Sequence, residues 1–100
     1  MLKVKVRFFG VIRDVTGGQT TEVEVGDDAS IMDLVKQLHQ QYGRAFYDRV
    51  MDEALGVRSY VKLFLNNEEV DNSKLATTKL VRDGAAAEAM IYVMPASTGG

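Results

Sequence analysis

The first residues of the chain alternate without a break. Leu2, Val4, Val6 and Phe8 share one parity, and Lys3, Lys5 and Arg7 hold the other. A period of two with one apolar set predicts a strand buried on one face. The connection "GVIRDVTGGQ" is long enough for one helical turn and breaks at Gly17-Gly18. Thr21, Val23 and Val25 then alternate with Thr20, Glu22 and Glu24. Paired as a hairpin, the two strands set an acidic outer row against a basic one, and cross-strand pairs of this kind help to fix register.

The period changes near residue 30. Ser30, with Asp33 three residues on and Asp27 and Asp28 just before it, marks a helix N-terminus. Ile31, Leu34, Val35, Leu38 and Tyr42 form one apolar stripe, and Gly43 ends it. Residues Arg44 to Leu55 predict a second, weaker helix, with Phe46, Val50 and Ala54 on one face, Tyr47, Met51 and Leu55 beside it, and Gly56 closing it. "SYVKLFL" alternates again as a strand, and "NNEEV" reads as a tight turn in which Asn66 or Asn67 takes a positive φ. The polar stretch "VDNSKLATTKLVRDGA" is loop-like, with room for a short helical turn at Ser73 to Ala76. "EAMIYVM" is the last strand, and Pro95 ends it by removing a ladder donor. Strands on either side of one main helix predict an α+β layer, a four- to five-stranded sheet packed on that helix with a second short helix. The domain is expected over residues 1–94, with a flexible tail over 95–100.

The same alternation defines a second face. Val61, Leu63 and Leu65 oppose Tyr60, Lys62 and Phe64, while Ala89, Ile91 and Val93 oppose Met90, Tyr92 and Met94. With the aliphatic sets turned to the helix, Tyr60, Phe64, Met90, Tyr92 and Met94 gather on the far side. Phe9 begins to leave the inward register of the first strand. Aromatic and methionine side chains clustered on a surface suit protein docking. The alternative is that the second helix or the long loop covers them, which would make them more core.

Composition narrows the chemistry. One hundred residues suit a single domain, and a net charge of -2 gives no footprint for nucleic acid or an anionic membrane. No apolar run approaches the ~20 residues of a membrane span, and the alternating N-terminus is not laid out as a secretory signal, so a cytoplasmic protein is expected. There is no cysteine, which removes disulfides, thiolate metal sites and a cysteine nucleophile together. The one histidine, His39, lies at the edge of the helical stripe with no carboxylate three or four residues away. It reads as a boundary residue rather than a ligand or base, and no metal site is expected. Carboxylates such as Glu68 and Glu69 look like turn charge, so an independent enzyme has little support.

Gly99 and Gly100 remain. A C-terminal carboxylate is a poor electrophile until it is activated. Adenylation by an ATP-using partner would open Gly100 to attack by a thiol, a persulfide or an amine. Glycine suits passage through a narrow channel because it has no Cβ, and residues 95–100 reach at most ~20 Å when extended. A frayed terminus is the plain alternative.

The segments "RFFGVIRDVTG", "VKLFLNNEEV" and "LVRDG", with the final Gly99-Gly100, resemble the ubiquitin-like sulfur-carrier family over nearly the whole chain. Within it, the chain is similar to the small subunit of molybdopterin synthase and to the small archaeal modifier proteins. The resemblance implies a β-grasp fold whose first and last strands run parallel at the centre of the sheet. It also implies that Gly100 is the functional residue, adenylated by a ubiquitin-activating-type enzyme. Gly100 would then become a thiocarboxylate that donates sulfur for molybdopterin, or join a target lysine by an isopeptide bond. ATP and Mg would be used by that partner, with no cofactor bound here. The protein would be a carrier rather than an enzyme, a monomer when free, and would meet its partners, the large synthase subunit among them, through Gly99 and a face containing Phe9, Phe64, Tyr92 and Met94. A single Pro95 before "ASTGG", where the family usually carries a Pro-Pro pair, favours the modifier branch. A plain ubiquitin-like binding module, using the sheet face without terminal chemistry, is the competing reading.

Overall fold

The computed structural model describes residues 2–52, 56–58, 60–82 and 84–93. Strand β1 (Leu2–Gly10) turns through one helical turn, α1 (Arg13–Thr16), into β2 (Thr20–Val25). Helices α2 (Ile31–Tyr42) and α3 (Arg44–Val50) follow, then a small hairpin of β3 (Met51–Asp52) and β4 (Gly56–Val57). β5 (Val61–Leu65) and β6 (Glu68–Val70) make a second hairpin. A 3-10 turn at Asn72–Lys74 and a third small hairpin, β7 (Val81–Arg82) and β8 (Ala85–Ala86), lead to β9 (Ala89–Val93).

Five strands form one mixed sheet in the order β2-β1-β9-β5-β6. The first and last strands lie side by side and parallel at its centre, and the other pairs are antiparallel. The charge rows meet as the alternation requires: Lys3 faces Glu24, Lys5 faces Glu22, and Val4 faces Val23 between them. Inward side chains of the central strands, Val4, Val6, Phe8, Ala89, Ile91 and Val93, are all 2% exposed or less. They pack beneath Leu34, Val35 and Leu38 of α2 and Phe46 and Val50 of α3 in one core. Tyr42 bridges sheet and helices, meeting Phe8 edge-on at 5.9 Å and Phe46 at 6.0 Å between ring centroids.

Local chemistry explains why α2 begins where it does. The Ser30 side chain accepts from the Asp33 N–H at 3.2 Å, and Asp33 Oδ2 accepts from the Ser30 N–H at 2.9 Å. This reciprocal pair satisfies two N–H groups that the first turn would otherwise leave without partners. Gly43, at φ 80, ends the helix. Asn66 and Asn67 both take positive φ, 49 and 71, the two-residue turn that fits the twist of a hairpin.

Two expectations fail here. The second helix stops at Val50 rather than at Leu55, because Met51 is extended (φ -105, ψ 151) and its strand pairs with Gly56–Val57. Gly56, at φ 85, therefore starts a return strand instead of closing a helix; Ala54 and Leu55 lie outside the described residues. The long polar stretch is also more ordered than a loop. It holds the 3-10 turn at Asn72–Lys74, one residue before the expected place, and the β7–β8 hairpin turned at Gly84.

Candidate functional site: the outer sheet face and the end of the last strand

The far side of the sheet carries two cross-strand rows. Arg7, Met90, Phe64 and Glu69 stand opposite one another across β1, β9, β5 and β6, and Phe9, Tyr92 and Lys62 form the next row. Phe9, Phe64 and Met90 are half-buried and Tyr92 is 39% exposed. The face is thus partly open to solvent, and among the described residues neither the second helix nor the long polar stretch seals it. Its charges are arranged around the apolar groups. The Arg7 guanidinium lies 5.6 Å from the Phe9 ring centroid and 3.4 Å from Glu88, and Lys62 lies 3.8 Å from Glu69. These exposed pairs add little to stability, but they give the patch a polar rim of the kind protein interfaces have.

Of the expected site residues, Phe9, Phe64 and Tyr92 share this face, together with Met90. Met94, Gly99 and Gly100 lie outside the described residues. Tyr60 is half-buried and packs against the core cluster, so it contributes less to the open surface than its parity suggests. His39 is half-buried with its ring 4.8 Å from that of Tyr47, a boundary position. Among the described residues, no group of three or more His, Cys, Asp or Glu is placed to share a metal ion.

One residue at the site was not legible as functional. Gly10 ends β1 directly opposite Val93, the end of β9. Its φ is 80, and a Cβ there would lie 2.1 Å from the Val93 carbonyl oxygen. That same oxygen accepts from the Val11 N–H at 3.1 Å. Only glycine allows so close a backbone approach at this φ, so the β1–α1 corner grips the last residue of the sheet's central strand. Beside it, Gly10, Arg13, Asp14, Gly17 and Gly18 line an open polar hollow of about 370 Å³. The hint in the sequence was a glycine immediately after "RFF", ahead of a helical turn. At the opposite end of β9, Asn66 Oδ1 accepts from the Glu88 N–H at 3.0 Å while the Asn66 N–H donates to the Glu88 carbonyl at 3.0 Å. Both ends of β9 are therefore held by specific backbone contacts.

Two carboxylates are held below the ordinary value of 3.8. Asp33 is lowered first by the Ser30 N–H, and Asp71 first by the Ser73 side chain and then by its N–H. Each caps a local turn, at α2 and at Asn72–Lys74. Their shifts are structural.

The ThiS family model matches residues 6–100. A search of curated proteins finds no significant match. Among solved structures, small archaeal modifier protein 1 of Haloferax volcanii superposes with a TM-score of 0.77 at 17% identity, over 95% of this chain and 100% of that one. A Pyrococcus furiosus protein described as subunit 1 of a molybdopterin converting factor gives 0.68 at 18%, over 95% and 100%. A chain of the Amycolatopsis orientalis BexX/CysO complex gives 0.62 at 23%, over 97% and 99%. These likenesses establish the β-grasp, ubiquitin-like architecture.

Proposed function

The chain belongs to the ThiS family, whose members here are small ubiquitin-like carriers and modifiers, and on that premise we propose that its work is done at the Gly100 carboxylate. A ubiquitin-activating-type enzyme adenylates Gly100: a carboxylate oxygen attacks the α-phosphorus of ATP and pyrophosphate leaves. An amine of a target lysine then attacks the acyl carbon, AMP departs with the bonding pair, and the nitrogen loses a proton to give an isopeptide. In the sulfur branch a partner's persulfide attacks instead, and a second thiol cleaves the resulting acyl disulfide to free the thiocarboxylate. The carrier supplies neither ATP nor metal; both belong to the activating partner.

The observation that carries this reading is the position of β9. It is the central strand, fixed at both ends, and it runs along the open Phe9–Tyr92 face toward the residues that precede Gly99-Gly100. A partner that grips the face is thereby brought beside the chain segment it must activate. Phe9, Phe64, Tyr92 and Met94 serve as that grip, and the relative solved in the BexX/CysO complex offers a precedent for a protein partner. The work is assigned to the cytoplasm; among the described residues no helix is long and apolar enough to cross a membrane.

Incubation with ATP, Mg and the activating enzyme should yield a Gly100 adenylate, seen by intact mass. Deleting Gly99-Gly100 should abolish adenylate, thiocarboxylate and conjugates while leaving the unfolding transition unchanged. A truncated chain that keeps every partner interaction and cellular role would overturn the proposal in favour of the plain binding module. High-mass conjugates dependent on Gly100 would mark the modifier route, and loss of molybdenum-enzyme activity in a deletion strain would mark the sulfur route.

A further inference from the structure

The sheet has two edges, and they are unequal. β6 has three residues, whereas β2 has six, about 20 Å of strand at the usual rise. The Phe8 N–H donates to the Gln19 carbonyl at 2.7 Å. Bonded and non-bonded pairs alternate along an antiparallel ladder, so the bonded pairs continue as Val6–Thr21, Val4–Val23 and Leu2–Val25. The N–H and C=O groups of Thr20, Glu22 and Glu24 consequently point away from β1, into an edge that no strand covers among the described residues.

The side chains along this edge specify what would fit it. Glu22 and Glu24 are exposed on the outer parity, and the exposed Asp27 and Asp28 follow directly after the strand. Lys3 and Lys5 stand one strand further in, so an incoming strand meets the carboxylates first. Lys79 Nζ donates to the backbone carbonyl of Asp28 at 2.8 Å. On the inner parity Val23 and Val25 face the core, and beyond Val25 an open hollow of about 530 Å³ is lined by Gly26, Ala29 and Gln37 together with the aspartates Asp27, Asp28 and Asp33. A second copy of this edge is a poor occupant. Antiparallel pairing of β2 with itself brings glutamates together, and like charges directly opposite are destabilising.

We propose that β2 is a docking edge for an extended segment of a partner protein in which basic and apolar residues alternate, added to the sheet as a further strand. Basic side chains lie along Glu22, Glu24 and the Asp27-Asp28 corner, and apolar ones lie along Val23 and Val25 over the hollow. Main-chain bonds to Thr20, Glu22 and Glu24 give the affinity and the alternating side chains give the choice of partner. The edge lies one strand beyond Phe9 and two beyond Tyr92 on the same outer side of the sheet, and binding there does not depend on chemistry at Gly100.

The test uses a capped nine-residue peptide alternating lysine and valine, added to the full chain and followed by amide NMR. Saturable shifts and slowed exchange are expected at Thr20, Glu22 and Glu24, with little change at Phe9 or Tyr92. A glutamate–valine peptide should not bind. N-methylating the peptide amides that face β2 should abolish binding. Glu22→Lys with Glu24→Lys should weaken it by about tenfold, as two lost cross-strand charge pairs would. Glu22→Pro removes an outward N–H and no ladder bond, and should abolish binding in a chain whose spectrum remains folded; Glu24→Lys alone serves if that variant does not fold. Equal binding of the N-methylated peptide, shifts mapping to β6 or to the Phe9–Tyr92 face, or no saturable binding would each overturn the proposal.

Discussion

The two faces of the central strands β1 and β9 differ in almost everything but their backbone. On the inner face Val4, Val6, Phe8, Ile91 and Val93 are nearly sealed from solvent, and each fills space beneath α2 and α3. On the outer face the neighbouring residues, Arg7, Phe9, Met90 and Tyr92, are half-buried or exposed and are ringed by ion pairs. Burial of an aliphatic side chain contributes about 1.5–3 kcal/mol, so the inner face holds the fold. The outer face leaves part of its apolar surface unburied. One sheet therefore has a sealed face and a partly open one, and under the proposed function the open face is where the partner docks.

The sharpest way to test that division is to break the inner face. Ile91 is 0% exposed at the centre of the sheet. Ile91→Ala should cost about 4 kcal/mol through lost transfer energy and the cavity left behind, read by denaturant unfolding, and that is a large part of the ~5–15 kcal/mol a domain of this size possesses. An outer-face truncation of equal size should cost far less. If the two proved equal, the outer face would have to be counted as core. Gly10→Ala comes next, at about 3 kcal/mol, since it combines a left-handed φ with a Cβ 2.1 Å from the Val93 carbonyl. The backbone must move to relieve that contact, so amide shifts should concentrate at Val11 and Val93. Under the proposed function, the rate of Gly100 adenylation should fall further than stability alone explains.

The inner face was legible in the sequence because β1, β5 and β9 obey a strict period of two and α2 a clear stripe with its own cap. Those signals come from burial of one side, which is what sets register. The outer patch followed from the same parity, so Phe9, Phe64 and Tyr92 could be placed together. Elements too short to show a period were not legible. β3, β4, β7 and β8 have two residues each, and they exist through pairing with each other rather than through local preference. "MDEAL" favours a helix by propensity, yet Met51 pairs with Val57 and the Val50 carbonyl accepts from the Arg58 N–H at 2.9 Å. Tertiary partners override a weak local preference. Gly10 was missed for a related reason: its role lies in its distance from Val93, more than eighty positions along the chain, and no spacing rule reports that.

A smaller effect is expected at the lid over the inner face. Ser30→Ala removes the acceptor for the Asp33 N–H and should cost about 1 kcal/mol, the usual worth of an N-cap. The same corner supplies a pH test. Asp33 is held below 3.8 chiefly by the Ser30 N–H, so its folded form binds a proton less readily than its unfolded form. Its contribution is complete above pH 3.8 and is lost as pH falls through the lowered value. The stability difference between the wild type and Asp33→Asn should therefore hold constant from neutral pH down to about 4 and shrink below it. A difference that persisted unchanged into strong acid would mean the carboxylate charge contributes nothing to the cap.

The smallest change in stability is expected on the outer face. Tyr92 is 39% exposed and stands between Phe9 and Lys62. Tyr92→Ser should cost about 0.5 kcal/mol, in the range of surface substitutions. Its melting transition should nearly overlie that of the wild type. Under the proposed function, binding to the activating partner should nonetheless weaken by about tenfold or more, because a central aromatic at a protein interface commonly contributes over 1 kcal/mol when truncated. Phe64→Ser, one row away beside Met90, should behave in the same way. Equal losses of stability and binding would show that the variants act through the fold. A loss of binding with stability retained would show that this apolar surface, left over by folding, is held in reserve for the partner.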